Sequence, residues 1–259
     1  MSYAELHCLT NFTFLRGASQ PEELVRRARQ LKYAALAITD ECSVAGVVRA
    51  HVAAKAPESS APPLKLIVGA EFRLTCGTRL VALAMNRRGY ARLCRLITCG
   101  RRAAPKGEYA LTRADVECLE QCLILWLPAL EPDAAAGAWL RERFPASVWI
   151  AVELTRDGAD RERLETLRQL GHRLELPLLA SGDVHMHVRE RRNLQDALTA
   201  IRHNVPLAEA GWHLYPNGER HLREPKRLAR LYPRELLSQT LVVAERCTFS
   251  LDELRYEYP

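Results

Sequence analysis

The chain has 259 residues, 48% hydrophobic and 26% charged, which allows a sizeable buried core and argues against disorder. Its net charge of +6, from 37 basic and 31 acidic residues, permits a nucleic-acid-proximal role without requiring one. No apolar run approaches the ~18–20 residues of a membrane span, and the opening MSYAELHC lacks the basic-then-apolar order of a secretory signal, so the expected location is cytoplasmic with no membrane partner.

The first predicted strand is Tyr3–Leu9, with His7 near its end. Pro21-Glu22-Glu23-Leu24 opens a helix for which Ser19 is the expected N-cap, with acidic residues in the first turn. Ala34–Thr39 is the second strand and runs into Asp40-Glu41; Ser43 is the expected cap of a helix through His51 to Lys55. Ala56–Pro63 reads as a Pro/Ser-rich surface loop. Leu66–Leu74, containing Glu71, and Arg79–Asn86 are the next strands, followed by a helix from Gly89 and a basic loop over Gly100–Gly107. Cys122–Leu127, Ser147–Leu154 and Leu178–Ser181 complete seven strands, with a helix over Asp160–Arg173 before the last. Past Arg189 the texture changes: a helix at Asn193–His203, breakers at Pro206, Gly211, Pro216 and Gly218, then a final helix at about Pro233–Cys247.

Short apolar strands alternating with helices predict parallel βα units, in an open doubly wound sheet or a closed barrel. No G-x-G-x-x-G follows a strand and no P-loop is present. Ligand-type residues recur just past the apolar runs: His7, Asp40-Glu41, Glu71, then Asp183 and His185. Parallel barrels gather such groups at the C-terminal mouth, so the pattern favours barrel closure. The eight cysteines, with no C-x-x-C pair, read as reduced core thiols rather than a zinc knuckle. The four tryptophans read as core. His187 and His203 read as surface residues, His51 as a mid-helix residue with no chemical role, and His172, His213 and His221 carry no assignment. Arg101, Arg102 and Lys106 form the best candidate for a phosphate contact.

The runs YAELHCLTNFTFLRGAS, ALAITDECSVAGVVRAH, IVGAEF and ASGDVHMH, in that order, resemble the PHP (polymerase and histidinol phosphatase) domain. More narrowly, they resemble the N-terminal PHP domain of the bacterial error-prone C-family DNA polymerases. RRNLQDALTAIR and the closing LDELRYEYP resemble the stretch that leads from that domain towards the polymerase palm. The resemblance covers essentially the whole chain. It implies an α/β fold, a distorted seven-stranded (β/α) barrel over residues 1–190, with a short helical C-terminal extension over 191–259. It also implies that the chain is the N-terminal part of a much longer polymerase.

Residue by residue, the resemblance implies a degenerate metal site. Metal-dependent PHP domains begin with H-x-H; here His7 is followed at the second position by Leu9. Arg16 stands where a carboxylate is expected, and T-D-H-G is replaced by Thr39-Asp40-Glu41-Cys42. Glu71 is retained, Arg79 stands in place of a histidine, and D-x-H is retained as Asp183-Val184-His185. The remaining ligand set would be His7, Asp40, Glu71, Asp183 and His185, with Glu41 as an oxygen donor in place of an imidazole. Arg16 and Arg79 cannot ligate a metal, but can replace lost cations by pairing with these carboxylates. The cofactor expectation is therefore one divalent metal (zinc, manganese or magnesium) at low occupancy, or none. The implied role is structural or interactive within a damage-inducible translesion polymerase, whose nucleotidyl transfer uses palm residues this chain lacks. The expected partners are the rest of the polymerase chain, other proteins of the mutagenesis complex, and DNA through the longer protein. The alternative is a free-standing metal-dependent PHP phosphoesterase or 3′–5′ exonuclease, which would need the missing ligands.

Overall fold

The computed structural model describes residues 2–56 and 64–254. Residues 57–63 of the expected surface loop and 255–259 of the closing run lie outside the described residues. The seven strands are β1 (Ala4–Glu5), β2 (Ala35–Ile38), β3 (Lys65–Arg73), β4 (Arg79–Ala84), β5 (Cys122–Trp126), β6 (Val148–Glu153) and β7 (Leu178–Ser181). They hydrogen-bond in chain order from β1 to β7. The ends of that sheet meet just past β7, where Val184 N–H donates to His7 O at 3.0 Å and Leu9 N–H donates to Val184 O at 2.8 Å. The result is a nearly closed seven-stranded α/β barrel.

The expected all-parallel order fails at one strand. β4 runs antiparallel to both β3 and β5. Only residues 74–78 separate β3 from β4, too few for a crossover helix, and Gly77 supplies a positive φ of 86° in that turn. Because β4 is reversed, its first residue, Arg79, lies at the same barrel end as the last residues of the parallel strands.

The strands are buried on both faces, which explains their nearly uninterrupted apolar runs. Alternate residues face the barrel interior: Ala35 and Ala37 on β2, Ile67 on β3, Val81 and Leu83 on β4, Leu123 and Leu125 on β5, Trp149 and Ala151 on β6. Leu36, Ile38, Ala82, Ile124 and Ile150 belong to the other cluster, packed under the surrounding helices. Those helices are α1 (Pro21–Gln30), α2 (Val47–Lys55), α3 (Arg87–Arg102), α4 (Arg113–Val116), α5 (Ala134–Arg143) and α6 (Asp160–Leu174).

Two expected caps are corrected. Gln20, not Ser19, is the N-cap of α1, and its backbone N–H donates to the Glu23 carboxylate. Ser43 accepts from Ala45 N–H, and Gly46 caps α2 instead. The expected Gly100–Gly107 loop begins later, because Gly100, Arg101 and Arg102 form the last turn of α3. Leu93, Leu96 and Gly100 keep the apolar face of α3 going to its end.

The C-terminal part contributes α7 (Arg192–His203), α8 (Pro225–Leu231) and α9 (Arg234–Arg246). Val243, Ala244 and Cys247 join the interior cluster, so α9 seals the end of the barrel where the parallel strands begin. Thr240 accepts from Ala4 N–H, and Lys65 donates to Ala244 O, at that same end. Tyr232 joins this segment to the end of β7 and to the residue just past β6, donating to Ser181 O at 2.7 Å and accepting from Leu154 N–H at 3.1 Å. Trp126 and Trp149 are core as expected, but Trp212 is fully exposed on a 3₁₀ turn. All eight cysteines are free; Cys8, Cys42, Cys122 and Cys247 are buried, whereas Cys76 and Cys99 are exposed, contrary to a purely core reading. Among the described residues no helix is long and apolar enough to cross a membrane.

Candidate functional site

With α9 closing one end, the other end of the barrel is a mouth built from strand termini. The interior-facing row on β3 runs Ile67, Gly69, Glu71; on β6 it runs Trp149, Ala151, Glu153; on β4 it starts at Arg79. Each apolar row therefore terminates in a charged side chain at the mouth. His7 arrives from the segment after β1, Asp183 and His185 from the segment after β7, and Arg16 from the loop between β1 and α1. Asp183 has φ +42°, a left-handed conformation that costs energy outside glycine and clusters at functional sites.

His7 is fully buried at the centre. Its Nε2 lies 3.0 Å from Glu71 Oε2, and its Nδ1 lies 3.0 Å from Glu153 Oε1 and 3.7 Å from Asp183 Oδ1. With a carboxylate at each ring nitrogen, the ring is held as an imidazolium donating on both sides. Burial works against that charge, but the hydrogen bonds to Glu153 and Glu71 win and raise its pKa above the usual value.

Glu71 is only 2% exposed and has three cationic partners. Arg16 donates to it twice, at 3.0 and 3.3 Å, and Arg79 donates at 3.2 Å. Burial alone would push the Glu71 carboxyl up; Arg16, His7 and Arg79 instead hold it well below the carboxylate range. Burial likewise opposes ionisation of Glu153, yet His7, Arg79 and Arg220 bring its pKa down to about 2. Glu41 sits at the rim, paired with Arg16 at 2.5 Å and accepting from Tyr109 O–H at 2.9 Å.

Asp183 pairs with Arg220 and lies 3.0 Å from His185 Nε2. Gln195 Nε2 lies 2.8 Å from His185 Nδ1, so this network assigns His185 the tautomer that donates from Nε2 to Asp183. Burial, then the charges of Arg16 and His7, push the His185 pKa well down, which keeps the ring neutral.

Of the residues expected at the site, His7, Glu41, Glu71, Asp183, His185, Arg16 and Arg79 are brought into one connected network. Asp40 is placed beside it with its carboxylate otherwise engaged. Its Oδ1 accepts from Thr10 N–H and Thr13 Oγ1 at 2.7 Å each, and its Oδ2 accepts from Thr10 Oγ1 at 2.8 Å. Asp40 thus clamps the loop that delivers Arg16. Arg101 is also engaged: its guanidinium donates to the carbonyls of Cys42, Glu41, Gly107 and Glu108, so its contacts tie loops together.

Glu153 and Arg220 were not anticipated. Glu153 carries the same signal as Glu71, a carboxylate ending the apolar run VWIAV in register with its interior residues. Arg220 carries no comparable signal, because it lies in an irregular segment far from any strand. His7, Glu153 and Asp183 each aim one ligand atom into a common space, the three atoms lying within 4.8 Å of one another. One nitrogen and two oxygens at that spacing could hold a divalent ion, provided that His7 presents a deprotonated nitrogen.

A profile of the PHP domain matches residues 5–136. An error-prone DNA polymerase of Methylococcus capsulatus is 61% identical over 259 residues, which is 99% of this chain and 24% of that protein. One from Dechloromonas aromatica is 57% identical over 263 residues, 99% of this chain and 25% of the other. The chain therefore spans about a quarter of the length of the curated relatives it matches. Among solved structures, a protein assigned as a metal-dependent phosphoesterase from Bifidobacterium adolescentis aligns with a TM-score of 0.50 at 15% identity, covering 71% of this chain and 88% of the other, a likeness of fold alone.

Proposed function

From the premise that the chain belongs to the PHP domain family, we propose that it serves as the N-terminal structural and interaction module of an error-prone DNA polymerase, and that its barrel mouth is a metal site taken over by side-chain cations. In this reading, residues 1–190 are the barrel module and 191–259 the extension towards the polymerase body. Nucleotidyl transfer belongs to that body. The partners are the rest of the polymerase, other proteins of translesion synthesis, and DNA through the longer protein, in the cytoplasm.

The observation that carries this reading is the charge balance of the mouth. Four carboxylates (Glu41, Glu71, Glu153, Asp183) are matched by four cations (Arg16, Arg79, Arg220 and the His7 imidazolium). A multinuclear phosphoesterase centre uses several divalent ions to generate hydroxide and clamp phosphate. Placing one divalent ion ~4 Å from a fixed guanidinium costs about 8 kcal/mol at an effective dielectric of ~20, and here three guanidiniums are already in place. Buried carboxylates left without cations would also be unfavourable, so the arginines stabilise the folded mouth in the role that ions would otherwise have.

A second reading is favoured by the His7–Glu153–Asp183 spacing: a single divalent ion, supplying Lewis acidity for phosphate-ester or 3′–5′ exonucleolytic cleavage. Elemental analysis of the purified chain, with hydrolysis assays on a phosphate ester and a mismatched primer, separates the two. We expect less than one tightly bound ion per chain and no hydrolysis. Two or three tightly bound ions, or metal-dependent turnover abolished by Asp183→Ala, would overturn the structural reading.

A further inference from the structure

We propose that Arg220 is a tethered stand-in for one divalent cation, and that its guanidinium keeps a His7–Glu153–Asp183 cation site closed. This rests on the reading of the mouth as a cation-replaced metal site and assigns one position within it. His7 divides the cluster into two sides. On its Nε2 side, Glu71 is held by Arg16 from the β1–α1 loop and by Arg79 from β4. On its Nδ1 side lie Glu153 and Asp183, and here the guanidinium in contact is Arg220, paired with Asp183. The three candidate donor atoms belong entirely to this second side.

Arg220 is not a barrel residue. It is presented by the segment between α7 and α8, which is docked largely through other groups. His185 N–H and Met186 N–H donate to the Arg220 carbonyl at 2.9 and 3.2 Å. Asn217 Nδ2 donates to Thr155 O at 2.7 Å, and buried Glu219 pairs with Arg189 and Arg227. The Tyr215 ring contacts both the Arg220 guanidinium, 4.5 Å from its centroid, and the His185 ring, 5.2 Å away. The Arg220 carbonyl, Asn217 and Glu219 therefore anchor the loop independently of the guanidinium, and the Arg220 side chain can be changed without removing them.

Taking away that guanidinium leaves two carboxylates facing His7, whose Nδ1 becomes a donor once an incoming ion displaces its proton, and the resulting set of one nitrogen and two oxygens suits zinc or manganese. Taking away Arg16 frees Glu41 and leaves Glu71 still facing Arg79 and His7, and among the described residues the ligand atoms on that side do not come together as the His7–Glu153–Asp183 atoms do. The two arginines are thus predicted to behave differently towards a metal ion, although both neutralise carboxylates.

The test is calorimetric titration of the 259-residue chain with Mn²⁺ and with Zn²⁺, alongside elemental analysis and thermal melts with and without the ion. We expect Arg220→Met to bind one ion per chain at least about tenfold more tightly than the unsubstituted chain, equivalent to ~1.4 kcal/mol, and to melt higher in its presence. Arg220→Lys and Arg16→Met should stay at the unsubstituted level, and adding Asp183→Asn to Arg220→Met should abolish the gain. Arg220→Gln is the second variant, held to the same criterion, should the methionine form fail to fold. Equal binding by Arg220→Met (or Arg220→Gln in its place) and the unsubstituted chain, or an equal gain in Arg16→Met, would overturn the assignment. Tight binding of several ions by the unsubstituted chain would overturn the broader reading instead.

Discussion

Replacing Arg16 with alanine should destabilise the fold by about 2–4 kcal/mol. The Arg16 side chain is 14% exposed, and its guanidinium makes two hydrogen bonds to Glu71, itself 2% exposed, plus one to the more accessible Glu41. Breaking a buried ion pair by removing one partner costs ~3–5 kcal/mol, because the other charge stays buried. Here Glu71 keeps His7 at 3.0 Å and Arg79 at 3.2 Å, so its loss falls to the bottom of that range or just below it, about 2–3 kcal/mol. The Glu41 contact, nearer solvent, adds only about 0–1 kcal/mol. Urea unfolding, with the slope checked for constancy, measures the difference, and a melt should show a loss of the order of 4–16 °C. The Arg16→Ala/Glu71→Gln double-mutant cycle isolates the pair. Its coupling should be about 1.5–3 kcal/mol, since each change alone strands part of the other partner. A change in Arg16→Ala within ~0.5 kcal/mol of the unsubstituted chain, or strict additivity in the cycle, would refute the idea that this pair holds the mouth together.

The stability of the chain should peak near pH 6.5. His7 has a raised pKa, so its contribution is fully present below the unfolded value of 6.5 and is lost as pH rises through the folded value. His185 has a lowered pKa and contributes above 6.5, losing stability as pH falls. Glu153, lowered from 4.5 to about 2, adds a further loss between those values in acid. Urea midpoints from pH 5 to 9 should therefore decline on the alkaline side, and His7→Gln should flatten that limb; an unchanged limb in the variant argues against an imidazolium at the centre. Tyr232→Phe should cost about 1–3 kcal/mol, because it strands the Ser181 carbonyl, the Leu154 N–H and part of Arg223 in a buried setting. A melt indistinguishable from the unsubstituted chain would show that the C-terminal segment is not held to β6 and β7 through this hydroxyl.

The seven strands were legible because each is a short, doubly buried apolar run, and local pattern is enough to define such an element. His7, Glu71, Asp183 and His185 were legible for a related reason: a polar residue ending an apolar run has to face either the mouth or the core. Glu153 bears the same mark, and its register with Trp149 and Ala151 was the available clue. The direction of β4 depended on the short turn at residues 74–78, which a count of alternating elements passes over. Asp40 looked like a ligand from its neighbours, but its use depends on Thr10 and Thr13 folding back over it, a contact made only when the loop after β1 closes. Arg220 was invisible, since no periodicity or spacing ties an irregular segment to a strand end more than sixty residues away in the case of Glu153. Local sequence therefore determined which residues are strands and which strand ends carry charge. The tertiary structure alone decided which cations meet which carboxylates, because electrostatic pairing depends on distance in space, and here those distances are set by barrel closure and by the docking of the C-terminal segment.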